Sequence, residues 1–260
     1  MIHPTAIIED TVQLGENVKV GPYAVLKGKT RIGDGTVIEH HASVGSEFSD
    51  VSIGRGNHIS PYAVLGGPPQ DLKYKGEETK LVVGDHNLIR EFVTLNAGTK
   101  AGGGVTRIGD HNLLMAYVHV AHDCHIGNHV VITNTTQLAG HVEIEDHAKI
   151  GGVVRIAQFI RIGQHAYIAG DSVINKDILP FTIAQGNYAK MRATNKIGLE
   201  RSGDYSKSDI ENIHRAIRSL LTGARTLEEA LEDIEAKCEP IPPIEYLKSF
   251  IKASEKGLAR

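Results

Sequence analysis

The sequence predicts a parallel β-solenoid of stacked triangular coils, followed by a small helical domain. Three observations predict it. An aliphatic residue recurs at every sixth position through long runs of the chain. The composition suits a narrow aliphatic interior, with no Trp, 5% aromatic residues and 28 Gly in 260 residues. Near residue 190 the six-residue period gives way to helical spacing.

The period begins at Ile2, Ile8, Leu14, Val20, Leu26, Ile32, Ile38 and Val44. It resumes at Ile53, Ile59 and Leu65, and again at Val83, Ile89 and Leu95. An unbroken run then goes from Ile108 through Leu114, Val120, Ile126, Ile132, Leu138, Ile144, Ile150, Ile156, Ile162 and Ile168 to Ile174. Six is the period neither of a helix nor of a strand, but it fits a short strand, a turn and repetition. Three such units make a triangular coil of about 18 residues, and successive coils stack at about 4.8 Å. Small or β-branched residues four places on (Ala24, Thr36, Ala42, Val130, Ala148, Ala166) fill the space beside the aliphatic column. Glycines directly after it (Gly33, Gly109, Gly127, Gly163) are expected to supply positive φ at the turns.

The solenoid is expected over 1–190, with loops at 66–82 and 96–107, where the phase breaks. Loops on a rigid scaffold commonly carry binding. A helical domain is expected over 191–260. Ser208 with Glu211 and Thr226 with Glu229 fit capping boxes. Pro240, Pro242 and Pro243 are expected to break the chain before a third helix around Tyr246, Phe250 and Ile251.

Composition excludes several function classes. A net charge of −3 attracts no nucleic acid. No run is long and apolar enough to span a membrane, and MIHPTAIIED, without a basic segment before an apolar one, is not expected to act as a signal peptide. Two Cys in unrelated contexts, Cys124 and Cys238, point to a reducing cytoplasm.

Coil geometry sorts the 14 His. His111, His129, His147 and His165 follow one another at intervals of one coil and form one column. They read as corner residues that tolerate a left-handed backbone; a metal role is disfavoured because no mixed Asp, Glu or Cys shell accompanies them. A second column holds His122, Gly140 and Gln158, with Asp123 and His141 beside it. An imidazole can act as general base, a carboxylate can fix its tautomer, and a Gly N–H can stabilise an oxyanion. No Ser or Cys nucleophile is indicated, so direct transfer to a bound hydroxyl is the simplest chemistry. The plain alternative is that each His is a turn residue in a non-enzymatic scaffold.

The segments HVAHDCHIGN (119–128) and LAGHVEI (138–144) resemble the UDP-N-acetylglucosamine O-acyltransferases of lipid A biosynthesis. So do IHPTA (2–6), PQDLKYKGE (69–77), IRE (89–91), GGG (102–104), NLLM (112–115) and IAQGN (183–187). The resemblance implies a left-handed coil, a homotrimer with sites between subunits, and transfer of an (R)-3-hydroxyacyl chain from acyl carrier protein to the sugar 3-hydroxyl. It implies His122 as base, Asp123 as its orienting partner and the Gly140 N–H as oxyanion donor. His119, His141 and Gln158 would line the site. Asp71 and Lys73 would bind the sugar nucleotide or acyl donor, and Asn195 and Arg201 the nucleotide and its phosphates. Gly170 matches the acyl-length position, where Gly leaves room for a longer chain. No cofactor or metal is implied, since phosphopantetheine arrives on the carrier. Basic residues are modestly concentrated in the helical tail, which is the candidate docking surface for the acidic carrier.

The chain departs from the family pattern at Ala157, before Gln158-Phe159, where a His is usual, and at Asn96-Ala97-Gly98-Thr99, where His-Arg-Gly-Thr is common. Ile197 and Ser202 replace a usual Glu and a second Arg. A 3-amino sugar, giving an amide, is therefore the alternative acceptor. The related N-acyltransferases carry an additional N-terminal domain, whereas here the repeat starts at Ile2. Carbonic anhydrases of this fold carry two His five residues apart, a spacing absent here.

Overall fold

A computed structural model describes residues 1–222 and 226–260. The chain winds a left-handed β-helix with three flat faces. One face is a nine-stranded sheet from Ile7–Ile8 to Val173–Ile174, the second an eight-stranded sheet from Gln13–Leu14 to Arg161–Ile162. The third has ten strands, from Lys19–Val20 to Lys190–Thr194. Every strand pair is parallel except Thr182–Gln185 with Lys190–Thr194. The aliphatic column points inward, and from Leu26 to Ile174 each of its members is at most 3% exposed. The small residues four places on are completely buried beside it. Each fully buried Ile, Leu or Val contributes about 1.5–3 kcal/mol, so the stacked interior carries the stability.

The turns work differently from expectation. The left-handed backbone sits three residues after the aliphatic one and is mostly not Gly: His86, His111, His129, His147 and His165 have φ from 55° to 61°. Gly33, Gly109, Gly127 and Gly163 lie outside that region. They are needed because adjacent coils touch there. A Cβ on Gly109 would lie 2.5 Å from Gly127 O and from Asn128 Oδ1. The corner strain is offset by side-chain ladders. The buried Asn57, Asn87 and Asn112 stack so that each Oδ1 accepts the backbone N–H of the next coil, at 2.7–2.8 Å.

Strand register gives the length of each coil. Gln13 pairs with Arg31, Lys29 with Asp50, Ser49 with Thr79, Lys80 with Val105 and Arg107 with His125. The first and last of these steps are plain coils of three hexapeptides. The three between them are longer, and the step from Ser49 to Thr79 is the longest. All the extra residues leave at one corner, between the nine- and eight-stranded sheets. The excursions are shorter than predicted: strands Val64–Gly67 and Thr79–Val83 bracket the first, and Thr94–Asn96 and Val105–Ile108 the second. Backbone pairing to the flanking coils claims the remaining residues.

Among the described residues four α-helices follow: α1 (Lys196–Ser202), α2 (Lys207–Leu221), α3 (Leu227–Lys237) and α4 (Pro242–Lys252). The predicted boundary falls inside the strand Lys190–Thr194. α2 is capped by Ser206 with Asp209, not by Ser208 with Glu211. Its first turn begins at Lys207, which puts Ser208 inside the helix. The Thr226–Glu229 box caps α3 as expected. Pro242 and Pro243 start α4 rather than interrupt it, since the first turn needs no N–H from them.

Candidate active site

His122 and Asp123 occupy the corner that carries the excursions, on the first plain coil above them. Asp123 takes the left-handed turn position, φ 60°, and its side chain is 1% exposed. The second excursion folds over it. Thr99 donates to the carboxylate twice, from its N–H to Oδ1 at 2.7 Å and from its hydroxyl to Oδ2 at 2.6 Å. The Gly102 N–H in turn donates to Thr99 Oγ1 at 3.1 Å. Gly102 packs so closely on the carboxylate that a Cβ would overlap it. The Asp123 N–H donates to Thr106 Oγ1 at 2.8 Å.

This held carboxylate faces His122, 2.8 Å from Nδ1. An ionised carboxylate only accepts, so Nδ1 carries the proton and Nε2 presents its lone pair. Nε2 has no protein partner among the described residues. Gly140 lies flat against the ring: a Cβ there would come within 2.5 Å of His122 Cε1 and 2.8 Å of Nε2. The Gly140 N–H donates to no protein acceptor among the described residues. A general base and an unpaired backbone donor are thus adjacent, in a site where His122 is only 6% exposed.

Two further histidines surround the pair. His141 meets His122 edge-on, with ring centroids 5.2 Å apart, and its Nε2 lies 3.7 Å from Asp123 Oδ2. Burial holds the His141 imidazole below its ordinary pKa, against the pull of Asp123. Burial, then the nearby His122, does the same to His119. His119 pairs with Thr94 through Nδ1 and Oγ1 at 2.7 Å, in a recess of about 400 Å³ shared with Gln70, Tyr117 and Gln137. Cys124 points inward, and burial pushes its thiol up to about 12. A thiolate nucleophile is therefore absent at this corner.

The remaining predicted residues are spread out. Asp71 stays at this corner, accepts the Lys73 N–H at 2.9 Å, and its charge reaches His141. Lys73 is exposed and makes no ion pair among the described residues. Gln158 is exposed and stacks one coil above Gly140, two above His122, with no side-chain hydrogen bond among the described residues. Asn195 caps α1 and donates to His165 O at 2.9 Å. It shares a recess of about 280 Å³ with Arg201, Lys149, His129, His147 and His165, at a second corner. Gly170 is exposed near the third corner, where a Cβ would stand 3.3 Å from Gly152 O. The chain alone therefore gathers His119, His122, Asp123, Gly140, His141 and Asp71 at one corner, with Gln158 in the same column above Gly140, but not Asn195, Arg201 or Gly170. The grip of Thr99, Gly102 and Thr106 on Asp123 was not anticipated; its main signal was the phase break that contains or borders them. The histidine column is a stack of rings 4.7–5.1 Å apart. It extends down to His86, which a lengthened coil hides from a count at the regular interval.

A family model described as "Udp N-acetylglucosamine O-acyltransferase; Domain 2" matches residues 177–259, and the bacterial transferase hexapeptide model matches 11–46 and 106–140. An acyl-(acyl-carrier-protein)–UDP-N-acetylglucosamine O-acyltransferase of Saccharophagus degradans is 48% identical, covering all of this chain and 99% of that protein. The chain belongs to the UDP-N-acetylglucosamine O-acyltransferase family. Another relative with that name, from Thermodesulfovibrio yellowstonii, is 42% identical over the same shares. Among solved structures, the UDP-N-acetylglucosamine acyltransferase of Bacteroides fragilis superposes with a TM-score of 0.96 at 43% identity, covering both chains completely. Family membership agrees with the hexapeptide coil and the helical C-terminal part.

Proposed function

We propose that the protein transfers an (R)-3-hydroxyacyl group from acyl carrier protein to the 3-hydroxyl of UDP-N-acetylglucosamine, the first step of lipid A biosynthesis. One observation carries this: the free Nε2 of an Asp123-held His122 lies beside the unpaired Gly140 N–H. His122 Nε2 takes the proton of the acceptor hydroxyl as its oxygen bonds to the thioester carbonyl carbon. The Gly140 N–H stabilises the oxyanion. On collapse the carbon–sulfur bond breaks, and the imidazolium returns the proton to the departing thiolate. Asp123 stabilises the imidazolium between these steps.

The scatter of the other residues supports an assembly. His122, Asn195 with Arg201, and Gly170 sit at three different corners of one prism, so a site using them all draws on more than one copy. A homotrimer meets that need. The long-chain reading of Gly170, a cytoplasmic location, the carrier as partner and the absence of a resident cofactor belong to the same proposal.

The test incubates the protein with defined 3-hydroxyacyl carrier proteins and either UDP-N-acetylglucosamine or its 3-amino analogue. An ester product supports the reading; a protein acting only on the amine moves it to amide formation. His122→Ala is expected to remain folded and trimeric and to lose transfer, and full activity in it overturns the mechanism. A metal reading at this corner rests on ligand atoms of His122, Asp123 and His141 lying within 4.8 Å of one another; those of His147, His165 and Asp204 do so at the second corner, where no carboxylate was expected beside the histidine column. Asp123 already receives Thr99 at both oxygens, so the proposal expects full activity in EDTA; loss of activity there favours the metal.

A further inference from the structure

The C-terminal residues leave the helices and return to the solenoid. After α4, residues 253–260 cross the last coil, and Leu258 makes a parallel bridge with Asp177. The Asp177 N–H donates to Gly257 O at 2.9 Å, the Ala259 N–H to Asp177 O at 3.0 Å, and the Met191 N–H to Ala259 O at 2.8 Å. The Asp177 carboxylate, buried with its residue 1% exposed, receives the Ser254 hydroxyl at 2.7 Å and the Arg161 N–H at 2.9 Å. The tail therefore forms a further rung, fixed by backbone bonds and one buried carboxylate. Leu258 stands over Asp177, which stands over Arg161; two residues earlier, Lys256 stands over the corner occupied by Phe159.

Lys256 Nζ lies 4.8 Å from the centroid of the Phe159 ring. Phe159 stacks on His141, 4.4 Å between centroids at 8°, and His141 meets His122 at 5.2 Å. A line of aromatic rings thus leads from the reaction centre to an ammonium group. Lys256 makes no ion pair with any described residue, so the cation is held in place by a ring and is not neutralised. Cation–π contact at an exposed site is worth only about 0.5–1 kcal/mol, which positions the group without satisfying it.

We propose that Lys256 binds the phosphodiester of the phosphopantetheine arm on which the acyl group arrives. The proposal rests on the acyl-transfer reading above. The donor thioester must reach His122, while the only anionic group of the arm lies at its far end. Lys256 supplies a cation remote from the reacting carbonyl on the same corner, with Phe159 between them as a surface for the arm. The sugar nucleotide does not fit this position. Its pyrophosphate sits on the anomeric carbon, two carbons from the acceptor hydroxyl, whereas two whole rings, His141 and Phe159, stand between His122 and Lys256. Lys149 and Arg201 lie at another corner and remain available to the nucleotide.

The test compares two small donors that differ only in the phosphate, 3-hydroxyacyl-phosphopantetheine and 3-hydroxyacyl-pantetheine, with the parent protein, Lys256→Gln and Lys256→Arg. The parent should prefer the phosphorylated donor about tenfold in kcat/KM, the size of a charge-assisted hydrogen bond. Lys256→Gln should abolish that preference, chiefly through KM for the donor, leaving KM for the sugar nucleotide and the melting temperature unchanged. Lys256→Arg should keep it. A preference that survives in Lys256→Gln overturns the proposal. So does a variant impaired with acyl carrier protein but with an unchanged ratio between the small donors, which would place the contact on the carrier's surface. If the parent transfers nothing to UDP-N-acetylglucosamine or its 3-amino analogue, the functional reading has failed instead.

Discussion

Gly140→Ala tests the site most sharply. The added Cβ would stand 2.5 Å from His122 Cε1, and ordinary contact begins near 3.4 Å, so the ring must give way by about 0.9 Å. It has little freedom to do so. Nδ1 is tied to Asp123, and Asp123 is tied to Thr99 through both oxygens. A displacement of about 1 Å at a reacting group costs on the order of 10²-fold, or about 2.7 kcal/mol of barrier. Gly152→Ala is the control, because its nearest neighbour would be Asn134 O at 3.4 Å. The assay is kcat/KM for transfer from acyl carrier protein, with thermal melting to show that both variants fold. Activity in Gly140→Ala within about threefold of the parent, against the ~10²-fold expected of such a shift, would refute the idea that His122 acts from this position.

Four other outcomes follow from the same geometry. Thr99→Val removes the hydroxyl that donates to Asp123 Oδ2 and should lower kcat about tenfold with KM little changed, since hydrogen bonds to charged groups are worth about 1.5–3 kcal/mol; steady-state kinetics decide. Burial pushes His165 from 6.5 down to about 4. A lowered folded-state pKa means the unfolded chain binds the proton more readily, so stability should fall as pH drops from about 6.5 to about 4. The shift corresponds to about 3 kcal/mol, and His165→Phe should flatten that part of the melting profile. Gly109→Ala should destabilise by about 1–3 kcal/mol through overpacking against Gly127, as denaturant titration would show. Ile132→Ala, at a position with no exposure, should cost about 2–5 kcal/mol while leaving substrate KM values unchanged in the folded fraction.

The coil was legible because each turn of it repeats the same local demand: one aliphatic residue inward and one small residue beside it. His122, Asp123 and Gly140 were legible for a related reason. Between Ile108 and Ile174 the coils are equal in length, so sequence distance translates directly into height. Below Ile108 the translation fails. His86 belongs under His111, yet an excursion lengthens the chain between them. Thr99 was hidden similarly, since an excursion has no period from which to read where it folds back. The turn glycines were misread because the sequence marks a tight position without saying what is tight. At Gly109 the constraint comes from the neighbouring coil, not from its own dihedral angles. Lys256 carried no signal, because it meets Phe159 only through the returning tail.

Every lengthened coil bulges from one edge of the prism. The other two edges run as unbroken rails, from which the inward aliphatic residues never slip. Length changes at the permissive edge re-register nothing inside. Chain can be added or deleted between 45 and 49, 68 and 78, or 97 and 104 while the interior column of Val44, Leu65, Leu95 and Val120 keeps its vertical order. The segment that grips Asp123 comes from that edge. The surroundings of the base can therefore be rewritten by insertion and deletion, a kind of variation that a close-packed globular core rarely survives.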